Sequence, residues 1–285
     1  MKGQKKKLFT RRNFIGTSVL GGAGAFSYAR WVEPNRISVT EKELTLPHLP
    51  PALDGLVVAQ LTDIHFNPEK DEELISEAVA RVNAANPDII ALTGDYVTND
   101  NTVFSPLMSL LAKLKAKHGI YGVMGNHDGW TDGTNFYRKG FEAAGMEFLV
   151  NQGTSIQIRG EKLFIAGTDS IWSGTVDAPA CWKGHTSEAV LALVHEPDVF
   201  DQLITDHRVD LQLSGHTHGG QCRVPFIGYA PAKVRYGQNY IYGDYTKGDS
   251  QIFVSRGLGT VGIRVRFACA PEVAILKLRS GAPSK

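Results

Sequence analysis

The sequence has few cysteines, and their spacing excludes a cysteine-based metal site. Cys181, Cys222 and Cys269 are the only three among 285 residues, and no two of them form a Cys-x-x-Cys pair. Structural zinc sites are built from such pairs, so a metal bound to this protein would need other ligands. Because an odd number of thiols cannot all pair within one chain, the sequence allows at most one intrachain disulfide.

Basic residues are also scarce outside the N-terminus. The formal net charge is +1, but the first 29 residues contain six Lys and Arg and no Asp or Glu, which leaves 24 basic against 29 acidic residues in the rest of the chain. A nucleic-acid-binding surface needs clustered Lys and Arg, so we expect no extended nucleic-acid surface. The length and the 42% hydrophobic content are typical of one large globular domain.

The N-terminus has the pattern of an export signal. A basic segment ends in Arg11-Arg12 and is followed by the short apolar stretch 14–29, which is rich in Gly and Ala. This pattern predicts a twin-arginine signal, which would engage the twin-arginine export machinery and carry the folded protein across a bacterial inner membrane. The alternative is a plain N-terminal anchor, although the apolar stretch is shorter than the ~20 residues of a spanning helix.

Cleavage of this signal is left open, because 23–25 and 27–29 both have the small-x-small form of a cleavage site. With the basic residues kept inside, the rest of the chain lies outside the cytoplasm. We therefore expect a periplasmic protein, or one held on the outer face of the cytoplasmic membrane by its N-terminus. Residues 1–29 are interpreted as this signal or anchor.

Apolar and amphipathic segments alternate after residue 54 in the order of an α/β domain. Residues 30–54 contain four prolines and are predicted to be a linker and domain edge, and residues 55–285 to be one domain. Three buried strands separated by two helices predict a βαβαβ unit. The strands cover 55–63, 88–95 and 120–128, and the helices 71–88 and 105–119. Further strands are predicted at 146–150, 154–158, 162–166, 189–198, 209–218, 251–257 and 272–279, with a long loop or a hairpin excursion over 222–250.

Five of these predicted strands end in polar side chains of the kind that bind metals. Ligands in α/β sheets collect beyond the carboxyl ends of the strands, so these side chains should meet at one edge. The candidates are Asp63, His65, Asp95, Asn126, His127, Asp128, His195, His216 and His218.

Carboxylates, imidazoles and an amide oxygen suit Mn, Fe, Zn, Co or Ni. The candidates are too many for one tetrahedral ion and are enough for two, and two divalent ions form a clamp for displacement at phosphorus. Asp95, directly after Gly94, is the best bridging carboxylate. Asp63 and His65, like His216 and His218, are two residues apart, so in extended backbone each pair would point to one side.

This order of motifs resembles the calcineurin-like metallophosphoesterase family, whose pattern is D-x-H, G-D, G-N-H-[DE], a lone His and G-H-x-H. The resemblance covers about 55–280. It implies a four-layer α/β/β/α sandwich with the dimetal site at the carboxyl ends of the strands. The twin-arginine start, LVHEPD, SGHTHGGQ and RGLG further resemble a subgroup of export-signal or membrane-associated bacterial phosphodiesterases. Some similar enzymes cleave the pyrophosphate of UDP-2,3-diacylglucosamine in lipid A synthesis.

The resemblance also implies a role for each candidate. One ion would be bound by Asp63, His65, Asp95 and His218, and the other by Asp95, Asn126, His195 and His216. A hydroxide that bridges both ions would attack phosphorus, with His127 as the general acid. Phosphoprotein phosphatases of the family orient this histidine with an Asp three residues after the bridging Asp. Thr98 stands there in this sequence, so either Asp128 or another group must orient His127.

Three functions follow as hypotheses. The first is an exported, metal-dependent phosphodiesterase whose diester or pyrophosphate substrate is linked to lipid or to the cell envelope. The second is the UDP-2,3-diacylglucosamine pyrophosphatase, whose substrate is made on the cytoplasmic face and therefore conflicts with export. The third is a non-catalytic binding scaffold, which predicts missing ligands, and none is missing.

Overall fold

Two six-stranded sheets form the centre of the molecule. The computed structural model describes residues 11–231 and 233–281, so the basic start of the proposed signal, residues 1–10, lies outside the described residues. In spatial order the first sheet contains β1 (Ser38–Leu46), β12 (Glu272–Ser280), β2 (Leu56–Leu61), β3 (Ile89–Leu92), β4 (Ile120–Gly122) and β5 (Glu147–Phe148). The second contains β10 (Gly243–Lys247), β11 (Ser250–Val254), β9 (Leu211–Ser214), β8 (Ala189–Leu193), β7 (Glu161–Gly167) and β6 (Gln152–Ile158).

Most strand pairs near the centre of each sheet are parallel. Strands β2 to β5 run parallel in the first sheet, and β7, β8, β9 and β11 run parallel in the second. The helices are α1 (Arg11–Ser27), α2 (Glu72–Ala84), α3 (Phe104–Leu111), α4 (Asn126–Thr131), α5 (Thr134–Ala143), α6 (Ala178–Cys181) and α7 (Phe200–Asp206). The order β2, α2, β3, α3, β4 confirms the predicted βαβαβ unit.

Successive side chains of each strand point to opposite faces of its sheet, so the apolar core has three parts: one between the two sheets and one on the outer face of each sheet. Ile90 and Leu92 of β3 pack with α2, α3 and α5, whereas Ile89 and Ala91 face the second sheet. The outer face of the second sheet packs against α7 through residues such as Val190. The chain is therefore a helix, sheet, sheet, helix sandwich, which confirms the expected α/β class.

The segment 30–54 is more regular than its prolines suggest. Residues Ser38–Leu46 form β1, which pairs in parallel with β12 over its whole length, so this part of the predicted linker belongs to the first sheet. The prolines lie outside the strand, and its burial alternates as expected of an edge strand with one face on the core.

Other boundaries also differ from the sequence prediction. Strand β10 lies inside the segment 222–250 and pairs antiparallel with β11, so the end of that segment is part of a hairpin. Helix α3 ends at Leu111 rather than at 119, because the chain turns there so that His118 N donates to Asp88 O at 2.8 Å. Strand β4 ends at Gly122, and Asn126 to Asp128 form the first turn of α4 instead of a strand end. The three cysteines are free thiols.

The N-terminal helix α1 is attached to the domain only at its end. Its side chains from Phe14 onward are largely exposed, and contacts begin at Ala29, whose carbonyl accepts from Arg266 N at 2.9 Å. The Glu33 carboxylate then accepts from the backbone N–H groups of Ala268 and Cys269. Among the described residues, no helix is both long and apolar enough to cross a membrane.

Candidate dimetal centre

The nine polar candidates lie together where the carboxyl ends of the two sheets meet. Eight of them are buried and His127 is half-buried. Backbone bonds extend the strands into the site, since Asp63 N donates to Gly94 O at 3.0 Å and Gly215 N donates to His195 O at 3.0 Å. The two sheets are joined directly, because His216 N donates to both carboxylate oxygens of Asp63 at 2.9 Å.

The first cluster contains Asp63, His65 and His218, and Asp95 borders it. His218 Nε2 lies 3.3 Å from Asp63 Oδ1 and 3.2 Å from His65 Nε2. His65 Nε2 also lies 3.4 Å from Asp95 Oδ2. The Nδ1 atom of His218 is buried without a hydrogen-bond partner among the described residues. These four residues are those that the family resemblance predicts for one ion.

The second cluster contains Asp95, His195 and His216, with Asn126 beside it. One ligand atom from each of the first three lies within 4.8 Å of the other two. His195 Nε2 lies 3.2 Å from Asp95 Oδ2 and 3.2 Å from Asn126 Oδ1. Oδ2 of Asp95 is thus within 3.4 Å of an imidazole from each cluster, which is the position expected of a bridging carboxylate.

Backbone carbonyls fix the orientation of two rings. His195 Nδ1 lies 2.7 Å from Thr93 O, and His216 Nε2 lies 2.7 Å from Arg235 O. A carbonyl oxygen only accepts, so each of these nitrogens carries the proton. The other nitrogen, Nε2 of His195 and Nδ1 of His216, is then left with a lone pair for a metal.

The same geometry identifies what orients His127. Its Nδ1 donates to the backbone carbonyl of Thr98 at 2.7 Å, and its backbone N donates to Asp95 Oδ1 at 2.8 Å. Thr98, the position that departs from the phosphatase pattern, therefore acts through its main chain. Of the two alternatives left open by the sequence, Asp128 is not the group that contacts the ring.

Asp128 instead holds the loop that carries Asp95. Its carboxylate accepts from the backbone N–H groups of Asp95 at 2.8 Å, Gly125 at 2.9 Å and Tyr96 at 2.9 Å. Burial and the charge of Asp95 raise the pKa of Asp128 to about 7. The residue is structural and fixes the end of β3 against the start of α4.

Most of the predicted ligands have an unusual backbone conformation. The φ angles are 49° at Asp63, 46° at His65, 54° at Asp95, 71° at His216 and 50° at His218. Such left-handed values are uncommon for residues with a Cβ, and they cluster at functional sites. The expectation that each Asp-x-His or His-x-His pair converges through extended backbone is therefore wrong, because these pairs lie in tight turns after the strands.

Glycines allow these turns to approach one another. A Cβ on Gly125 would lie 2.2 Å from Asp95 N, and one on Gly215 would lie 2.1 Å from Asp63 Oδ2. No heavy atoms approach so closely without bonding, so both positions need glycine for lack of space rather than for their φ angle.

The charges of the site favour bound cations. Burial holds the pKa of His216 at about 3 and that of His218 well below its usual value, so both rings are neutral at pH 7. Burial opposes ionisation of Asp95, but the charges and hydrogen bonds of His195 and His65 outweigh it and hold its pKa well below the usual value.

Burial opposes protonation of His195, but the charge and hydrogen bond of Asp95 outweigh it and raise the pKa of His195 well above its usual value. Neutral imidazoles and an ionised carboxylate are the forms that bind divalent metals, so an ion bound at His195 would replace the proton on Nε2. The donor set fits two such ions, and Nε2 of His218, 3.3 Å from Asp63 Oδ1, is the ring nitrogen that faces the first cluster.

A cleft of about 320 Å³ opens over the two clusters. Asp95, His127 and His216 form its floor, and Trp130 and Trp172 form one wall. The two indoles contact edge to face with centroids 5.0 Å apart. Sequence analysis missed both tryptophans, and the only signal was that Trp130 follows the GNHD motif directly after Gly129.

Comparisons with known proteins agree with this geometry. Residues 56–220 match the family model described as calcineurin-like phosphoesterase. The chain is 33% identical over 286 residues to the uncharacterized metallophosphoesterase YkuE of Bacillus subtilis (98% of this chain, 99% of that protein). It is 30% identical over 279 residues to the phosphodiesterase YaeI of Escherichia coli (95% and 100%).

One solved structure has the same fold. The NAD nucleotidase (NadN) of Haemophilus influenzae matches with a TM-score of 0.51 and 14% identity. The match covers 71% of this chain and 45% of that protein, and at this identity it bears on the fold alone.

Proposed function

The chain belongs to the calcineurin-like phosphoesterase family, and on that premise we propose that it is a phosphodiesterase that uses two divalent ions. Membership makes it a hydrolase that acts on phosphate esters. The proposal for two ions rests on Asp95, whose Oδ2 lies 3.4 Å from His65 Nε2 in one cluster and 3.2 Å from His195 Nε2 in the other. The name of the E. coli relative supports a diester substrate.

The residues proposed to hold the ions come from both sheets. Asp63, His65, Asp95 and His218 would bind one ion, and Asp95, Asn126, His195 and His216 would bind the other. When bound, the ions would supply an activated water at neutral pH and offset negative charge on the phosphate. The same ligands accept Mn, Fe, Zn, Co or Ni.

His127 is proposed as the general acid. Its Nδ1 proton is committed to Thr98 O, so Nε2 is the atom that would deliver a proton to the leaving oxygen. Burial lowers the pKa of His127, and a phosphate anion bound beside the ring would raise it again. The ring lines the cleft next to Asp95, where such an anion would lie.

Replacement of His127 by Ala tests this role. We expect turnover of a soluble aryl phosphodiester to fall by about 10²–10⁴-fold while both metal ions stay bound, because the family pattern gives His127 a proton to deliver and no ion to bind. A ring nitrogen of His127 lies within 4.8 Å of ligand atoms of His65 and Asp95, so loss of an ion from the variant would make His127 a ligand instead. Metal content is measured by mass spectrometry after reconstitution with each candidate ion. His118→Ala is the matched control, because His118 lies outside the cleft. Full turnover by His127→Ala contradicts the proposal.

We also propose export, with the hydrolase domain on the outer side of the cytoplasmic membrane. Support comes from Arg11-Arg12 and the apolar stretch that follows. The competing UDP-2,3-diacylglucosamine pyrophosphatase would need a domain that faces the cytoplasm. Protease added to spheroplasts separates the two: we expect cleavage of the domain in intact spheroplasts, whereas cleavage only after lysis contradicts export.

A further inference from the structure

Two loops beside the cleft present large apolar side chains to solvent. Phe226, Ile227 and Tyr229 lie in the first loop, 222–229, and are 108%, 74% and 59% exposed. Ile263, 71% exposed, lies in the second, 259–264, together with Val261. We name these two loops the apolar rim. A clustered apolar surface of this kind on a folded protein marks a site of interaction.

Gln221 ties the two loops of the rim together. Its side-chain amide donates to the carbonyls of Val261 and Ile263 at 3.2 Å, and its side-chain oxygen accepts from Val261 N at 2.9 Å. Gln221 and Val261 also line the cleft over the metal clusters. The rim is therefore one continuous surface that reaches the mouth of the cleft.

The tip of the first loop is held outward by its own hydrogen bonds. Val224 N donates to Tyr229 O at 2.8 Å, Gly228 N donates to Val224 O at 2.9 Å, and Arg223 Nε donates to Gly228 O at 2.7 Å. Phe226, at the tip, has a left-handed φ of 69°. A bulky residue in that conformation is strained, so the loop keeps its aromatic side chain in solvent at a cost in stability.

The charge of the rim favours an anionic partner. Residues 219–242 contain Arg223, Lys233 and Arg235 and no Asp or Glu, and Lys233 and Arg235 are exposed. The arginines of 256–269 add no free charge, because Arg256 and Arg264 pair with Glu272 and Asp71 at 3.0 Å and Arg266 is buried. The chain beyond the first 29 residues is acidic as a whole, so the basic stretch 219–242 stands out. Apolar tips among basic side chains are the composition of surfaces that insert into anionic bilayers.

The N-terminal helix leaves the domain beside the rim. Ala29, two residues after the end of α1, accepts from Arg266 N at 2.9 Å, and Asn35 accepts from Arg264 at 2.8 Å. Helix α1 exposes further apolar side chains, among them Phe14, Leu20 and Phe26. The C-terminal end of α1 thus adjoins the rim, and a second exposed apolar segment connected to the rim favours a lipid surface over a single protein partner.

We propose that the apolar rim docks the protein on a membrane surface rich in anionic phospholipid, with Phe226, Ile227 and Ile263 inserted between the headgroups. Docking brings the mouth of the cleft to the lipid phosphates. Given the phosphodiesterase function proposed above, docking also indicates the substrate, which is a phosphodiester or pyrophosphate carried by a membrane lipid. The docking surface itself does not depend on catalysis.

Hydrogen exchange on the full chain tests the docking. Because α1 can bind lipid by itself, the readout is protection of amides in 222–229 and 259–264 rather than binding alone. We expect exchange there to slow with vesicles of phosphatidylcholine and phosphatidylglycerol, and to stay unchanged with phosphatidylcholine alone. Phe226→Ser/Ile227→Ser is expected to lose this protection, since it removes two of the large apolar side chains whose burial would favour insertion.

The control variant is Val39→Ser, which removes an exposed apolar side chain from β1 and should change neither protection nor binding. The double variant should also keep wild-type turnover of a soluble diester, which verifies its fold. Vesicle binding that leaves the amides of the rim unprotected overturns the proposal. So does protection of the rim in the absence of vesicles, if light scattering shows that the protein self-associates under the same conditions. A protein that shows rim protection but hydrolyses no diester contradicts the proposed function and leaves the docking intact.

Discussion

At the scale of single residues, the orientation of three of the five imidazoles depends on a main-chain oxygen. Thr93, Thr98 and Arg235 each offer a carbonyl to one ring nitrogen of His195, His127 or His216. Each contact fixes which nitrogen carries the proton, and hence which one faces the cleft. Substitution of these three residues should therefore matter less than displacement of their backbone.

Asp128→Asn tests what fixes the backbone next to Thr98, because the Asp128 carboxylate accepts from the backbone N–H groups of Asp95, Tyr96 and Val97. The Asn side chain keeps the shape of the carboxylate but places its NH₂ group against buried backbone N–H donors. The backbone N–H groups that face this NH₂ group then lose their acceptor. Each unpaired group costs roughly 1–3 kcal/mol, and we expect the free energy of unfolding to fall by at least that amount. Denaturant titration measures the change.

The matched control for this prediction is Asp132→Asn in the same segment. Asp132 is exposed and accepts from Asn101 at 2.9 Å, so its replacement should change the unfolding free energy by less than about 0.5 kcal/mol. Equal stability of the two variants would contradict the role assigned to Asp128.

At the scale of elements, the sequence predicts the strands that carry the site and misses what surrounds them. Short apolar runs rich in β-branched residues, such as those of β2 and β3, fit few structures other than a buried strand. Polar residues that follow parallel strands must then meet at one edge of the sheet. The prolines around β1 led to the prediction of a linker there, although the burial of its residues alternates as in a strand. The short helix α4 was not predicted because it depends on contacts of Asp128 with the distant loop that carries Asp95. The tight turns at Asp63 and His216 were unpredictable because tertiary bonds stabilise them.

Gly125→Ala tests the close approach between α4 and the turn after β3. A Cβ there would lie 2.2 Å from Asp95 N and 2.3 Å from Asp95 Oδ1, so Asp95 must move. We expect a loss of roughly 1–3 kcal/mol in stability and a reduced metal content, measured by denaturant titration and mass spectrometry. Gly133→Ala is matched to it, since Gly133 also precedes a helix but has no atom within 4 Å of its Cβ position. Unchanged metal content in Gly125→Ala would refute this account.

At the scale of the whole molecule, the candidate centre connects the two sheets. Asp63 and Asp95 come from the first sheet, and His195, His216 and His218 from the second. Polar bonds cross this edge directly, such as the one from Gln60 Nε2 to Ser214 O at 3.0 Å. The four-layer arrangement followed from the family pattern, whereas the aromatic wall and the apolar rim did not, because exposed loop residues follow no periodicity.

Metal removal should therefore lower the stability of the entire domain. A ligand that binds only the folded state stabilises it by RT ln(1 + [L]/Kd), which is about 2.7 kcal/mol at a hundredfold excess over Kd. We expect Tm of chelator-treated protein to rise when Mn²⁺ is added, and Asp95→Asn to lose most of that rise because it lacks the shared carboxylate. Asp132→Asn should keep the full rise. Calorimetry that gave the same rise for Asp95→Asn would show that the stabilising metal binds elsewhere, and an unchanged Tm in the wild type would exclude a clamp between the sheets.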